Sequence, residues 1–532
     1  MAIEIGSLAL LVVFGTALCF TSLYAFHFHY SALRTVPGPT LARLSALWRV
    51  RLIWSGDAPK KYRDLHQRYG PIVRTAPNVV DVSDPGQIPV VLGINAKFVK
   101  SDFYTAFDTV YDVDNSRLPS MFSTTDPAFH RHLKRPVAHK YSLSSLRSLE
   151  RLVNKCSQIF TDAMLETAGQ SVDMSTWLQW YAFDVIGEIT FSRRFGFMEQ
   201  KKDVEGMIEG IDFGLWYNSL VGQLPWLHPF LLGNSTARKL LGRIKESPLE
   251  TINRVTREAI RAHNDAPQDK DKQEDLVTEE DFLTFLSREE AVQGNAMPDR
   301  DKMNHLLNNL FAGSDTTAIS LRAVFYQLMR HPEIYRQVQT EIVAADNAGK
   351  LSWPFIKYTE SLEHLPFLHM CIKEAMRVHP GVGFPLERVV PNVGAKICDT
   401  FLPGGTIVGI NAAVIHYDKD IFGEDAAQFR PNRWVVNESN RDAVALMERN
   451  LLIFGAGARS CIGKNISILE MGKFIPQILR AFDVTFADAR NPEWKVRTFW
   501  FSRQSEFRAV FTPRKGPEEA PEVVSMRRRQ DH

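Results

Sequence analysis

The sequence predicts a mainly α-helical fold carrying a smaller β-rich lobe, and two observations predict it. Apolar residues recur at helical spacing over residues 146–168, 174–191, 204–220 and 303–329. Shorter runs at 72–75, 79–82, 385–391 and 401–409 alternate or lie between turn residues, as strands do. The chain has 532 residues, 45% apolar and 23% charged, which is an ordinary globular composition. Its 63 basic and 61 acidic residues leave a net charge of +2, so no bulk attraction to nucleic acid is implied. Five cysteines (Cys19, Cys156, Cys371, Cys398, Cys461) are too scattered for a disulfide framework and form no Cys-x-x-Cys pair.

In chain order, residues 5–26 carry no charge and are strongly apolar. About 20 such residues cross a hydrocarbon core as a helix. Residues 1–30 therefore read as a single-pass transmembrane anchor. A cleaved signal peptide is the competing reading; Glu4 in place of a basic n-region and the lack of a small-x-small cleavage site argue against it. Arg34, Arg43, Arg49 and Arg51 follow, placing the downstream chain in the cytosol by the positive-inside rule. Residues 31–45 contain Pro37-Gly38-Pro39, a stiff hinge, and residues 46–515 read as the main globular domain. Within it, residues 58–69 read as a helix ending at Gly70-Pro71, followed by a hairpin around Ala76-Pro77-Asn78. Residues 101–122 read as irregular. Thr125-Asp126-Pro127 is a helix start with an N-cap candidate and an early proline; Pro136 limits that helix. Its basic residues Arg131, Arg135 and Lys140 read either as a docking face or as a solvated surface. Residues 220–232 form an unusually apolar loop, 265–280 a charged surface linker, and 516–532 a disordered tail.

Four segments carry chemistry. In the middle of the long helix at 303–329 lies Ala312-Gly313-Ser314-Asp315-Thr316-Thr317, a run of poor helix formers. Small residues there let a flat group approach, and a threonine hydroxyl can bond back to a carbonyl; a kinked packing helix is the alternative. Glu374 and Arg377 lie three apart on one helix face. Arg433, in Phe429-Arg-Pro-Asn-Arg-Trp434, supplies a further cation. Phe454 to Gly463 reads Phe-Gly-Ala-Gly-Ala-Arg-Ser-Cys-Ile-Gly and leads into a helix. A thiol there sits near the positive end of the helix dipole, which favours thiolate, and Gly455, Gly457 and Gly463 leave room for a flat cofactor. For a lone cysteine the commoner case is a buried, inert thiol; the whole pattern Phe-x-x-Gly-x-x-x-Cys-x-Gly reverses that.

This loop resembles the heme-binding loop of the cytochrome P-450 family, membrane-bound branch. The resemblance covers roughly residues 35–515, with every major motif in the family's order, and is greatest to filamentous-fungal members, including the pisatin-demethylase-like group. It implies the cytochrome P-450 fold, with heme b (iron protoporphyrin IX) as cofactor and Cys461 as axial thiolate ligand. It implies that His130, Lys134, Arg388 and Arg459 hold the heme propionates; Lys134 departs from the commoner arginine and supplies a point charge without the bidentate fork. It implies that Thr316 and Asp315 hand protons to oxygen activation, and that Glu374, Arg377 and Arg433 form a structural lock on the Cys461 loop. Asn432 and Trp434 depart from the family's Pro-Glu-Arg-Phe signature. Residues 382–386 and 499–502 are expected to line the substrate pocket. The 101–122 segment is expected to roof it. The 220–232 loop either dips into the bilayer or packs on the core.

The implied activity is that of a monooxygenase inserting one atom of O2 into a hydrophobic organic substrate, in fungal secondary-metabolite tailoring. No Rossmann or Walker pattern is present, so electrons are expected from NADPH through a separate cytochrome P-450 reductase, with cytochrome b5 as a further donor. The expected location is the endoplasmic reticulum membrane, single-pass, with the catalytic domain facing the cytosol. Two other readings are a heme-thiolate isomerase, dehydratase or peroxygenase that does not use O2, and a non-enzymatic heme sensor or carrier. The intact Asp315-Thr316 pair argues against both.

Overall fold

The computed structural model describes residues 14–22, 24–26, 31–111, 113–114, 116–234, 236, 248–265, 280–293, 297–490 and 494–514. The elements that position the site are helices α1 (Ala58–Tyr69), α2 (Pro127–Val137), α3 (Glu150–Glu166), α4 (Met174–Phe191), α5 (Met207–Val221), α6 (Asp299–Arg330), α7 (Pro366–Val378) and α8 (Lys464–Ala481). The strands are β1 (Ile72–Ala76), β2 (Val79–Val82), β3 (Val99–Lys100), β4 (Ser171–Asp173), β5 (Arg388–Val389), β6 (Ile407–Ile410), β7 (Phe482–Phe486), β8 (Lys495–Phe499), β9 (Phe501–Ser505) and β10 (Arg508–Pro513). The expected helical body with a smaller β lobe is what the chain forms.

The core lies where α6 crosses α4 and both meet α8. Helix α4 is buried on every face from Met174 to Gln179 and from Tyr181 to Thr190, apart from Thr176. That follows from its composition, because a helix apolar all round is stable only inside a protein. Tyr181 of α4 stacks on Phe474 of α8 with centroids 3.9 Å apart, and Leu321, Val324, Phe325 and Leu328 of α6 complete the layer. The β lobe is a five-stranded sheet of order β1-β2-β6-β5-β3. In it β1 and β2 form the expected hairpin, while β6 lies parallel to β2 and antiparallel to β5. Val80, Val82, Val408 and Ile410 from this sheet share a cluster with Leu452, at the entry to the cysteine loop. Further strands form the β7-β10-β4 sheet and the β8–β9 hairpin.

Several boundaries differ from expectation for local reasons. Residues 101–122 are not irregular: they form a 3-10 turn (Asp102–Phe107) and a small hairpin pairing Thr109–Tyr111 with Ser116–Leu118. The helical pattern at 204–220 begins with a 3-10 turn whose Glu205 has φ 52°, and the regular helix starts at Met207. Asp126 caps α2 through its carboxylate, which accepts the Ala128 N–H, and Pro136 sits one residue before that helix ends. The proline-rich segment is pinned to the β lobe. Pro37 accepts the Arg74 N–H at 2.7 Å, and Arg74 Nη1 donates to the Leu33 carbonyl at 3.3 Å.

Most of the expected anchor lies outside the described residues, as do the tail at 516–532 and nearly all of the charged linker at 265–280. Among the described residues no helix is long and apolar enough to cross a membrane. Phe14–Ser22 is helical, and Phe14, Leu18 and Phe20 are exposed.

Candidate active site

A cavity of about 700 Å3 opens between α5, α6, residues 100–122, β5, the β8–β9 turn and the cysteine loop. Cys461, Ala312, Thr316, His130, Lys134, Arg388 and Arg459 all border it. Chemistry-bearing residues more than 300 positions apart are thus brought to one space.

The loop is fixed by its own backbone. Phe454 accepts the Cys461 N–H at 2.9 Å, Leu452 the Gly455 N–H at 3.0 Å, and Gly457 the Ser460 N–H at 3.1 Å. Gly457 has φ +64°, and a Cβ there would lie 1.8 Å from the Leu92 carbonyl oxygen. At this position packing against Leu92 excludes a side chain, independently of any cofactor. The Cys461 thiol lies just ahead of α8, where the Gly463 and Lys464 N–H groups bond it and favour the thiolate. Burial outweighs them and pushes the thiol above its ordinary value, so the dipole argument alone does not make it a thiolate. A bound cation at sulfur would, because metal coordination deprotonates a thiol outright.

On the same side five basic groups gather: Lys100, His130, Lys134, Arg388 and Arg459. Arg388 is steadied through its neighbour. Glu387 pairs with Arg49 at 2.7 Å and accepts the Ser101 hydroxyl at 2.6 Å, while Arg388 Nη1 donates to the Glu387 carbonyl at 2.8 Å. Among the described residues Arg459 makes only long bonds, 3.3 Å to the Met121 carbonyl and 3.4 Å to that of Asp126. Burial, reinforced by Arg388, pulls its guanidinium down to about 10. Burial, then Arg459, Lys134 and Lys100, lowers the His130 imidazole to about 4. Lys134 borders the cavity with its ammonium 3.1 Å from the Ala458 carbonyl, tying α2 to the cysteine loop. Nothing in the sequence singles out Lys100. Its buried ammonium bonds the Phe122 carbonyl, sits over the Tyr104 ring (3.9 Å), and is driven well below the usual lysine range by burial, Arg388 and Arg459. Only the fold, through the pairing of β3 with β5 that sets Lys100 opposite Arg388, brings it here.

Lys140, expected on a docking face with Arg131 and Arg135, is not on the surface. It is buried against Glu280, 3.6 Å from the carboxylate, while Arg131 and Arg135 are exposed.

Helix α6 runs through the small-residue segment without a break. Ser314, Thr316 and Ser320 donate their hydroxyls to carbonyls four residues back, at 2.8, 2.7 and 2.9 Å. Thr316 faces the cavity. Asp315 does not: it is buried on another face of α6, where its Oδ1 accepts a hydrogen bond from Gln179 of α4. Gln179 in turn accepts from Arg322 at 2.5 Å. Oδ2 of Asp315 has no hydrogen-bond partner among the described residues. Burial raises this carboxyl, opposed by Arg503, Arg322 and the Gln179 bond; Arg503 itself pairs with Asp212 of α5.

Behind the loop, Glu374, Arg377 and Arg433 meet as expected, all buried. Arg377 Nε and Nη2 clamp the two Glu374 oxygens at 2.9 and 2.8 Å, and Arg433 Nε reaches Oε1 at 2.8 Å. Trp434 donates its indole N–H to Oε2 at 2.9 Å. A buried ion pair persists only when its remaining valences are satisfied. Arg377 meets this through the His416 (2.6 Å), Ala426 (2.7 Å) and Gln428 (3.0 Å) carbonyls.

A cysteine open to the cavity, a convergent set of cations and a long helix carrying a small-residue segment beside them define the class of a heme-thiolate protein. The comparisons agree with the geometry. The profile of the cytochrome P-450 family matches residues 37–506. The chain is 36% identical over 512 residues to cytochrome P-450 monooxygenase cicH of Emericella nidulans, covering 96% of this chain and 99% of that one. It is 38% identical over 466 residues to a cytochrome P-450 monooxygenase of Aspergillus terreus, covering 86% and 91%. To cytochrome P-450 monooxygenase mpaDE of Penicillium roqueforti it is 35% identical over 489 residues, or 91% of this chain; it spans only 56% of that protein's length. The chain belongs to the cytochrome P-450 family.

The residues present fit the heme that this family implies. Arg388 and Arg459 disfavour the charged form of Lys100, and Arg388 that of Arg459. The bonds these three cations make run to backbone carbonyls, an arrangement suited to a ligand bringing its own anionic groups. Cys461 supplies a soft sulfur ligand of the kind iron takes.

Proposed function

We propose that the chain is a heme-thiolate monooxygenase that inserts one oxygen atom from O2 into a hydrophobic organic substrate. Its electrons come from NADPH through a separate reductase. The observation that carries this reading is that the Cys461 thiol and the Thr316 hydroxyl open onto one cavity whose wall is largely aromatic and apolar. When bound, the heme supplies reductive O2 activation at a thiolate-ligated iron.

The chain's own residues do the rest. Cys461 holds the metal; Arg388, Arg459, His130, Lys100 and Lys134 hold the propionates by charge-assisted bonds. Thr316 presents a hydroxyl at the cavity wall. Asp315, adjacent in sequence, raised by burial and held by Gln179, is the acid that supplies this region, its Oδ2 left without a hydrogen-bond partner among the described residues. Leu386, Val382 and the aromatic wall exclude bulk water from the substrate.

The exposed apolar residues Trp226 and Phe230 of the 220–232 loop, with Leu41, Leu47 and Trp54, support a face laid against a membrane. With the apolar N-terminus they support a single-pass anchor in the endoplasmic reticulum, catalytic domain on the cytosolic side. Arg131 and Arg135 support a reductase-docking face. The fungal sources of the relatives support a role in secondary-metabolite tailoring.

The test is NADPH and O2 consumption by the full-length, heme-loaded chain with a fungal reductase and a panel of apolar compounds. Substrate-stimulated consumption of both with an oxygenated product supports the reading. Turnover of substrate without O2 uptake would move it to the isomerase or peroxygenase class.

A further inference from the structure

We infer that the substrate-facing part of the cavity is built for an uncharged, planar aromatic compound bearing a hydroxyl or carbonyl group. The inference rests on the oxygenase reading and names the substrate class of that same site.

The first observation is an aromatic wall. Phe107, Phe122 and Phe384 surround Trp500 with centroids 5.4, 5.5 and 5.9 Å away, at interplanar angles of 62°, 67° and 54°. All four border the cavity, Phe107 and Phe122 with part of their surface open and Trp500 and Phe384 almost wholly buried behind them. Inclined rings offer both edges and faces, and a ligand ring extends such a cluster in a way that a saturated ring cannot.

The second is the backbone at Trp500. Phe499 and Phe501 pair directly across the β8–β9 hairpin, leaving Trp500 as the residue between them, with φ 64°. Positive φ is a genuine outlier for a bulky side chain, and glycine would make this turn freely. The turn is held by the Gly383 N–H, which donates to the Trp500 carbonyl at 3.0 Å, and by a bridge between Val382 and Phe501. Strain kept at an indole packed directly behind Phe107 and Phe122 points to a role for that indole in fixing how those rings face a ligand.

The third is the kind of polarity left over. Asn308 lies one helical turn before Ala312 on α6, and Asn218 lies on α5; both border the cavity, are partly exposed to it and have no side-chain hydrogen-bond partner among the described residues. An amide donates and accepts without charge, which suits a hydroxyl or carbonyl. Arg117 on this side is engaged, its Nε donating to Asp108 Oδ2 at 3.0 Å, and the other ion here, Glu209 of α5, is itself a carboxylate. An anionic substrate would be desolvated here beside like charge.

The test is a binding series on the full-length, heme-loaded chain, read both as the ligand-induced shift of the heme absorption band and by calorimetry. The probes are 2-naphthol, decahydro-2-naphthol, naphthalene and 2-naphthoate. 2-Naphthol should bind about tenfold more tightly than its saturated counterpart, the order expected of two or so aromatic contacts, and more tightly than naphthalene or 2-naphthoate. Trp500→Leu should shrink the aromatic preference to about twofold, and Asn308→Leu should erase the advantage of 2-naphthol over naphthalene while keeping the aromatic preference. Equal or tighter binding of decahydro-2-naphthol, or tightest binding of 2-naphthoate, would overturn the inference. If Trp500→Leu does not hold heme, the wild-type series decides. The thiolate-type absorption of the reduced carbonyl complex, recorded on the same samples, separates the two failures. Its absence tells against the oxygenase reading; its presence without an aromatic preference tells against this inference alone.

Discussion

His416 accepts the backbone N–H of Leu452 on Nε2 at 2.8 Å, a bond that joins the buried ion-pair cluster to the loop presenting Cys461. Because Nε2 accepts, the ring proton is on Nδ1, which donates to the Arg377 carbonyl at 3.0 Å. Arg377 in turn donates to the His416 carbonyl at 2.6 Å. The clamp on Glu374 is thereby carried to the residue nine positions before Cys461. His416→Ala should leave the buried Leu452 N–H unpaired, at a cost of about 1–3 kcal/mol, and loosen the loop. Denaturant unfolding and heme loss on gel filtration check this: a lower midpoint and partial heme loss are expected.

Acid should destabilise the fold well above the carboxylate range. Burial first, then Arg377, lowers His416 to about 3, and burial lowers His305, His369 and His379 to about 4. An unfolded histidine titrates near 6.5. Below that pH the unfolded chain binds protons that these folded histidines refuse, so their share of the stability is lost as pH drops from about 6.5. Burial raises Asp81, Asp184 and Asp212 to about 6, and these carboxyls act in the opposite sense below that pH. The loss is therefore steepest above pH 6, and unfolding midpoints should decrease from pH 7.5 to pH 6.

Lys100 should matter for cofactor retention. Its ammonium is buried beside Arg388 and Arg459 and is destabilised until anionic groups arrive. Lys100→Leu should weaken heme binding by about tenfold, one charge-assisted bond's worth, while leaving the apo fold as stable or more so. Heme transfer to apomyoglobin measures the first and thermal unfolding of the apoprotein the second.

Thr316 and Asp315 should separate in their effects because they face different surroundings. Thr316→Ala removes a hydroxyl at the cavity wall and costs α6 only a back-bond to Ala312, so NADPH use should continue with several-fold less product. Asp315→Asn keeps the shape of the Gln179 contact but removes the acid; it should slow turnover and enlarge the solvent deuterium effect. The ratio of product to NADPH consumed, with and without D2O, distinguishes them.

The motif residues were legible in the sequence because each segment pairs a chemical type with a spacing. Glu374 and Arg377 share a helix face, Thr316 lies in a run of poor helix formers, and Cys461 sits in a glycine-bracketed loop; the structure brings all of these to one cavity or its back wall. What escaped was set by contacts between distant segments. Lys100 reads as an ordinary surface lysine until β3 pairs with β5. Trp434, a departure from the family signature, turns out to donate to Glu374, and Gln179 looks like any helix glutamine until α4 crosses α6. The direction of Asp315, away from the cavity, depends on that same crossing. Lys140 escapes for the same reason: it lies three residues beyond the end of α2, and only the fold places it under Glu280.

The measurement that bears most directly on Cys461 as the metal ligand is the reduced carbon-monoxide difference spectrum of the full-length chain and of Cys461→Ala. A thiolate-type band is expected in the wild type, and its loss in the variant. Persistence of that band without the Cys461 thiol would contradict the assignment.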